Sequence, residues 1–249
     1  MLPDNDTNSK IHEFVRRARE AAGTNLEGVI LFGSAASGDY HPGQSDLNLL
    51  CVLGKTSFPA LQTLGPVAKW WDRQKQPAPL CMTREELNRS TDVFTIELLD
   101  MQQHHRVLFG EDAVQNLKVP MDLHRVQVEY ELREKLILLR QKLLLFAEND
   151  KGLWNLLLHS VPSFATLFRH ALIALGDAAP IGRREAVQAL SKRLSFDASV
   201  FDEVLSVREH SMDRKSMQVD DIVSRYVATI EHVVAAVDRA LDSDAPGRL

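Results

Sequence analysis

Oxygen-bearing side chains able to do chemistry are concentrated in one stretch, Leu31 to Val52, where Gly33-Ser34 follows one apolar run and Asp46-Leu47-Asn48 opens another. A Gly-Ser pair leaving a buried strand lets backbone amides and the Ser34 hydroxyl approach a phosphate, and the helix start that follows adds partial positive charge. Twelve residues after Ser34, Asp46 and Asn48 lie two apart on a predicted strand and share a face, where hard oxygens can hold a magnesium ion. A phosphate cradle facing a metal site implies a nucleotide. A further carboxylate, Glu97, falls within Val93-Phe94-Thr95-Ile96-Glu97-Leu98-Leu99, which reads as a strand over 92–99. A carboxylate among such neighbours is costly unless it meets a cation or a hydrogen bond. The plainer reading of Glu97 is a strand-end carboxylate facing solvent.

Gly33-Ser34, a spacer of ten residues, then Ser45-Asp46-Leu47-Asn48 together resemble the signature of the nucleotidyltransferase superfamily. That superfamily includes DNA polymerase beta, the minimal nucleotidyltransferases and the aminoglycoside adenylyltransferases. The resemblance covers roughly the first half of the chain. It implies Asp46, Asn48 and Glu97 as catalytic and metal-binding residues, and Gly33, Ser34 and Ser45 as nucleotide-binding ones. Leu98-Leu99-Asp100 resembles the segment after the third carboxylate of minimal members, which implies Glu97 as the third metal carboxylate with Asp100 as the fallback. Asn48 stands where the pattern has its second carboxylate, and Ser37 where minimal members often carry Arg. The implied reaction is magnesium-dependent transfer of a nucleoside monophosphate from a nucleoside triphosphate, ATP first, to an acceptor hydroxyl on a small molecule, a protein or an RNA end. The alternative is a nucleotide-binding or interaction module with weakened or lost transferase activity, because Asn48 ligates without contributing charge.

Positioning these residues requires strands and covering helices. Ile11, Phe14, Val15 and Ala18 predict an amphipathic helix over 9–22, stopped at Gly23. Strands are expected over 26–32 and 46–53, a helix over 58–75, and a short strand over 80–82. Thr83 and Glu86 then form a capping box. Trp70 and Trp71 read as packing residues ahead of a base-stacking platform. A helix is expected over 102–108; adjacent His104 and His105 would diverge on it and make a poor zinc pair. After Pro120 five helices are expected, over 123–147, 153–175, 183–194, 199–209 and 220–241, with Pro162 kinking the second. Stripes such as Leu132, Leu136, Leu139, Leu143 and Ile222, Tyr226, Ile230, Val233, Val237 predict a bundle. The fold class is α+β: a small mixed-sheet domain over 1–118, then an all-α helical bundle over 119–249, with the active cleft expected to face the helical half. Arg225 and His232 have a six-residue gap tolerated in the Arg and His motif of HEPN ribonucleases; two polar residues on an exposed helix face is the simpler reading.

Composition narrows the rest. A net charge of −5 argues against general binding to nucleic-acid backbone. Cys51 and Cys81 sit in apolar runs, as two buried hydrophobes in a reducing compartment. The first residues lack the basic flank and apolar core of a signal peptide, and no apolar run reads as long enough to span a bilayer. A cytoplasmic location without membrane partners is expected, and residues 243–249 read as a loose tail.

Overall fold

The computed structural model describes residues 5–37, 45–180 and 182–243. The expected Pro42-Gly43 loop and the tail after Ser243 lie outside the described residues. The chain divides into two compact units, Met1–Pro120 and Met121–Leu249.

In the first unit α1 (Asn5–Ala22) leads to β1 (Leu26–Phe32), the single turn α2 (Ser34–Ser37), β2 (Asn48–Leu53), α3 (Phe58–Arg73) and β3 (Leu80–Met82). Then come α4 (Arg84–Arg89), α5 (Thr95–Gln103) and β4 (His105–Gly110). The four strands form one mixed sheet in the order β3-β2-β1-β4. β1 runs antiparallel to β2 and β4, and β3 lies parallel to β2. Residues Val29 to Phe32 of β1 and Leu49 to Leu53 of β2, the two central strands, are continuously apolar because both faces are covered there. Val29, Leu31, Leu49, Cys51 and Leu53 pack against Ile11, Phe14 and Ala18 of α1 and Leu64, Val67 and Trp71 of α3. On the opposite face Ile30, Leu50 and Val52 meet Leu87 of α4 and Leu98 and Met101 of α5. Trp71 is fully buried against Phe14, ring centroids 5.0 Å apart, while Trp70 lies under the Arg17 guanidinium at 4.5 Å. Both indoles are thus occupied by packing. The capping box forms: the Thr83 hydroxyl accepts from the Glu86 amide at 3.1 Å, and the Thr83 amide donates back to Glu86 at 2.7 Å. That backbone donor holds the Glu86 carboxyl below its usual range.

Two segments depart from their sequence pattern. Residues 93–99 are not a strand, since α5 begins at Thr95, with Thr95, Ile96, Leu98 and Met101 buried at helical spacing. Val93, Thr95 and Ile96 favour a strand locally, but Glu97-Leu98-Leu99-Asp100-Met101-Gln102-Gln103 are largely good helix formers and the longer period prevails. The helix expected over 102–108 is instead the end of α5 followed by β4, an edge strand whose half-buried residues give only a weak alternation. Asp46 precedes β2, which begins at Asn48.

The second unit holds α6 (Met121–Phe146), α7 (Asp150–Ala174), α8 (Arg183–Leu194), α9 (Ser199–Arg208) and α10 (Val219–Ser243), with no strand among its described residues. α7 is the central element and runs through Pro162. Its Phe164 and Phe168 meet Tyr226 and Phe201 at centroid distances of 6.1 and 4.9 Å. Burial pushes the Tyr226 phenol up, and its hydroxyl pairs with Ser160 at 3.1 Å. Contrary to the sequence reading, α7 is long and apolar enough to cross a membrane by length and composition, because a helix surrounded by four others is apolar on most sides; 61% of its most apolar window is buried within the protein. Arg225 is fixed by both oxygens of Glu203, at 2.9 and 2.7 Å, and by Asp221 at 2.8 Å. His232 lies against the Phe196 ring. Both residues therefore have structural partners within the bundle.

Candidate functional site

The end of β1 is where the oxygen-bearing residues gather. Phe32 pairs with Asn48 on one side and with His105 on the other, so the three form one row across the sheet. The chain then turns at Gly33, whose φ is +74°, and the Ala36 amide donates to the Gly33 carbonyl at 2.9 Å to start α2. A Cβ at Gly33 would lie 3.1 Å from the Asn48 amide nitrogen. Glycine is thus favoured by its left-handed backbone, and a Cβ there would also press the Asn48 amide aside by a few tenths of an ångström. Leu47 is locked into the α1/α3 core, and its amide donates to the Gln76 side chain at 2.7 Å. The residues flanking it, Asp46 and Asn48, are respectively exposed and half-buried. Ser34 opens α2, and Ser45 immediately precedes Asp46.

Glu97 is exposed in the first turn of α5, not buried in a strand, and escapes the desolvation cost expected of it. Its neighbour Leu98 packs on the face of Ile30 and Leu50, which is also the face of Asn48. Glu97 therefore belongs to the helix covering Asn48's side of the sheet, with Asp100 half-buried later on the same helix. Among the described residues no three His, Cys, Asp or Glu are grouped closely enough to hold a metal. The oxygen donors in the segment that opens β2 are the Asp46 carboxylate and the Asn48 amide oxygen. Such a set fits magnesium, which is held by one or two protein oxygens together with substrate phosphates and water.

His105 is the residue that sequence periodicity missed. Its side chain is 8% exposed; Nδ1 lies 2.7 Å from the Met101 carbonyl and Nε2 2.8 Å from Asp112. Both neighbours are acceptors, so both contacts are hydrogen bonds only when the ring carries two protons. Asp112 also accepts from the Val114 and Gln115 amides, each at 3.0 Å. Burial raises its carboxyl, but the bonds from His105 and the two amides outweigh it, and Asp112 titrates below the usual carboxylate range. The start of β4 is tied in this way to the end of α5 and to the following loop. Because the folded pKa is depressed, the contribution is present above the ordinary carboxylate pKa and lost as pH falls through the folded value. Asp112→Asn should lower the urea midpoint at neutral pH and flatten its decline in acid; equal acid slopes for the two proteins would refute the linkage.

Residues 10–101 match the family model described as a nucleotidyltransferase domain. The match spans α1 to Met101 and includes Gly33, Ser34, Asp46, Asn48 and Glu97. No curated protein sequence matches the chain. Among solved structures, the chain is similar to spectinomycin adenyltransferase AAD(9) from Enterococcus faecialis, determined with ATP and spectinomycin. The TM-score is 0.56 at 15% identity, covering 93% of this chain and 99% of that one. At that identity the likeness is one of fold, and it extends through the helical unit. Residues 10–101 thus match a nucleotidyltransferase domain, and the fold continues into a helical C-terminal region.

Proposed function

We propose that this protein transfers a nucleoside monophosphate from magnesium ATP, or a related triphosphate, to a hydroxyl of a small polar acceptor. The observation that carries the reading is the Gly33 turn, where a left-handed glycine makes room for Asn48 beside the Ser34 helix start and close in sequence to exposed Asp46. Asp46 and Asn48 would hold the magnesium, with backbone amides at Gly33 and Ser34, and the Ser34 and Ser45 hydroxyls, taking phosphate oxygens. Magnesium bound there neutralises charge on the leaving pyrophosphate and makes the acceptor hydroxyl more acidic. The acceptor oxygen bonds to the α-phosphorus as the bridge to the β-phosphate breaks, and the acceptor's proton passes to Glu97 on α5. The small-molecule acceptor is favoured by the fold shared with AAD(9). Two unbridged thiols, Cys51 and Cys81, fit a reducing cytoplasmic setting; they face each other across β2 and β3, and the Cys81 thiol together with burial keeps Cys51 protonated.

A second reading, a nucleotide-binding module without turnover, is favoured by one observation: Asn48 leaves the turn with a single formal negative charge. Pyrophosphate release from labelled triphosphates, across a magnesium series and a panel of hydroxylated acceptors, separates the two. The transferase reading expects turnover by wild type, a loss of about 100-fold or more in Glu97→Gln, and tighter magnesium binding in Asn48→Asp. Silence from wild type with turnover by Asn48→Asp would establish the binding module instead.

A further inference from the structure

The chain's two cysteines meet on one face of the sheet. Cys51 lies on β2 and Cys81 on β3, and the parallel register of the two strands makes them direct partners. Both side chains belong to the core packed against α1 and α3, Cys51 fully buried within it and Cys81 half-buried at its edge. Neighbouring strands lie about 4.8 Å apart, inside the roughly 4.4–6.8 Å of Cα separation that a disulfide spans. β3 is a three-residue strand at the edge of the sheet, so it has the freedom to settle the two sulfurs into bonding geometry.

The two thiols are not equivalent. Cys51 is sealed among apolar neighbours, where the Cys81 sulfur and burial keep its proton on. Cys81 is partly open to solvent on the outer strand, and its thiol donates to the Pro79 carbonyl at 3.8 Å. Once ionised, its sulfur accepts from Cys51 instead, which holds Cys81 below the range of an ordinary thiol. The accessible, more acidic thiol is the nucleophile, and the buried protonated one beside it is the resolving partner. We propose that Cys81 and Cys51 are an oxidant-sensing pair, reduced at rest and closed by a hydroperoxide into a reversible disulfide within the chain. The Cys81 thiolate attacks a peroxide oxygen, a sulfur–oxygen bond forms as the oxygen–oxygen bond breaks, and the departing hydroxide takes up a proton as water. Cys81 is then a sulfenic acid, and the peroxide has accepted its two electrons. Cys51 next attacks the Cys81 sulfur while its proton passes to the sulfenic oxygen, so a second water leaves and the disulfide joins β2 to β3. A resolving thiol this close diverts Cys81 from the irreversible sulfinic acid.

The test treats the reduced full chain with hydrogen peroxide, quenches with catalase, alkylates the denatured protein and reads its peptides by mass spectrometry. Wild type should lose both alkylatable thiols together and gain a peptide pair linked through Cys51 and Cys81, and dithiothreitol should restore both thiols. Cys51→Ala should stop at a Cys81 sulfenic acid that dimedone traps, whereas Cys81→Ser should leave Cys51 reduced over the same exposure. Cys51→Val, closer in volume to cysteine, repeats the first substitution with the core kept filled, and circular dichroism shows that each variant is folded. Two thiols that survive the peroxide, a Cys81 sulfinic acid without the linked peptides, a disulfide between chains, or oxidation of Cys51 in Cys81→Ser at the wild-type rate would each overturn the inference.

Discussion

Asp46→Asn is expected to abolish magnesium-dependent nucleotide binding and to cut nucleotidyl transfer by about 1,000-fold, the several kcal/mol that a metal's charge stabilisation supplies. The effect is large because of its neighbour. Asn48 is neutral, so Asp46 is the only formal negative charge that the pair flanking Leu47 offers a divalent cation. Removing it leaves two amides, whose dipoles hold magnesium far more weakly than a carboxylate. Asp46 is exposed and outside β2, so the thermal midpoint should stay within the small range of surface substitutions. Asp100→Asn, half-buried on α5, is the comparison, and it should leave most of the binding intact. Calorimetric titration with magnesium ATP measures both. Equal tolerance of the two substitutions would remove Asp46 from the metal site.

What could be read in the sequence divides along physical lines. β1 was legible over its full span, and β2 from Asn48 onward, because strands covered on both faces carry unbroken apolar stretches, here Val29 to Phe32 and Leu49 to Leu53. The Thr83-Glu86 box was legible because its two hydrogen bonds are local. The five helices after Pro120 were legible because stripes such as Ile222, Tyr226, Ile230 and Val233 persist over several turns. Illegible segments were those whose structure is decided by distant partners. β4 is a strand because β1 has a free edge to pair with, which nothing within His105-Arg106-Val107-Leu108 announces. Glu97 was singled out by an apolar neighbourhood that proved to be one side of a helix, so its placement rests on α5 covering the Asn48 face. The His105–Asp112 bond joins the start of β4 to the loop that follows the strand, and no local spacing encodes it.

Gly110→Ala is expected to be the most damaging substitution in the first unit, costing about 3 kcal/mol or more. Gly110 ends β4 opposite Gly28 with φ at +76°, a region that costs an L residue roughly 1–2 kcal/mol. The added Cβ would also lie 1.9 Å from the Glu27 carbonyl oxygen and 2.9 Å from the Gly28 Cα, both backbone atoms of the neighbouring strand. No rotamer change can relieve such a clash, so β4 must part from β1 at this end, and a loosened β4 also slackens His105 in the row with Asn48. Gly23→Ala isolates the conformational term: φ is +53° there, but nothing lies within 4 Å of the new carbon, so only about 1 kcal/mol should be lost. Urea unfolding followed by tryptophan fluorescence, with Trp70 and Trp71 reporting the first unit, compares the two. If Gly110→Ala costs no more than Gly23→Ala, β4 is free to shift along β1, and the tight register between Gly28 and Gly110 is not what fixes the start of β4 beside the site.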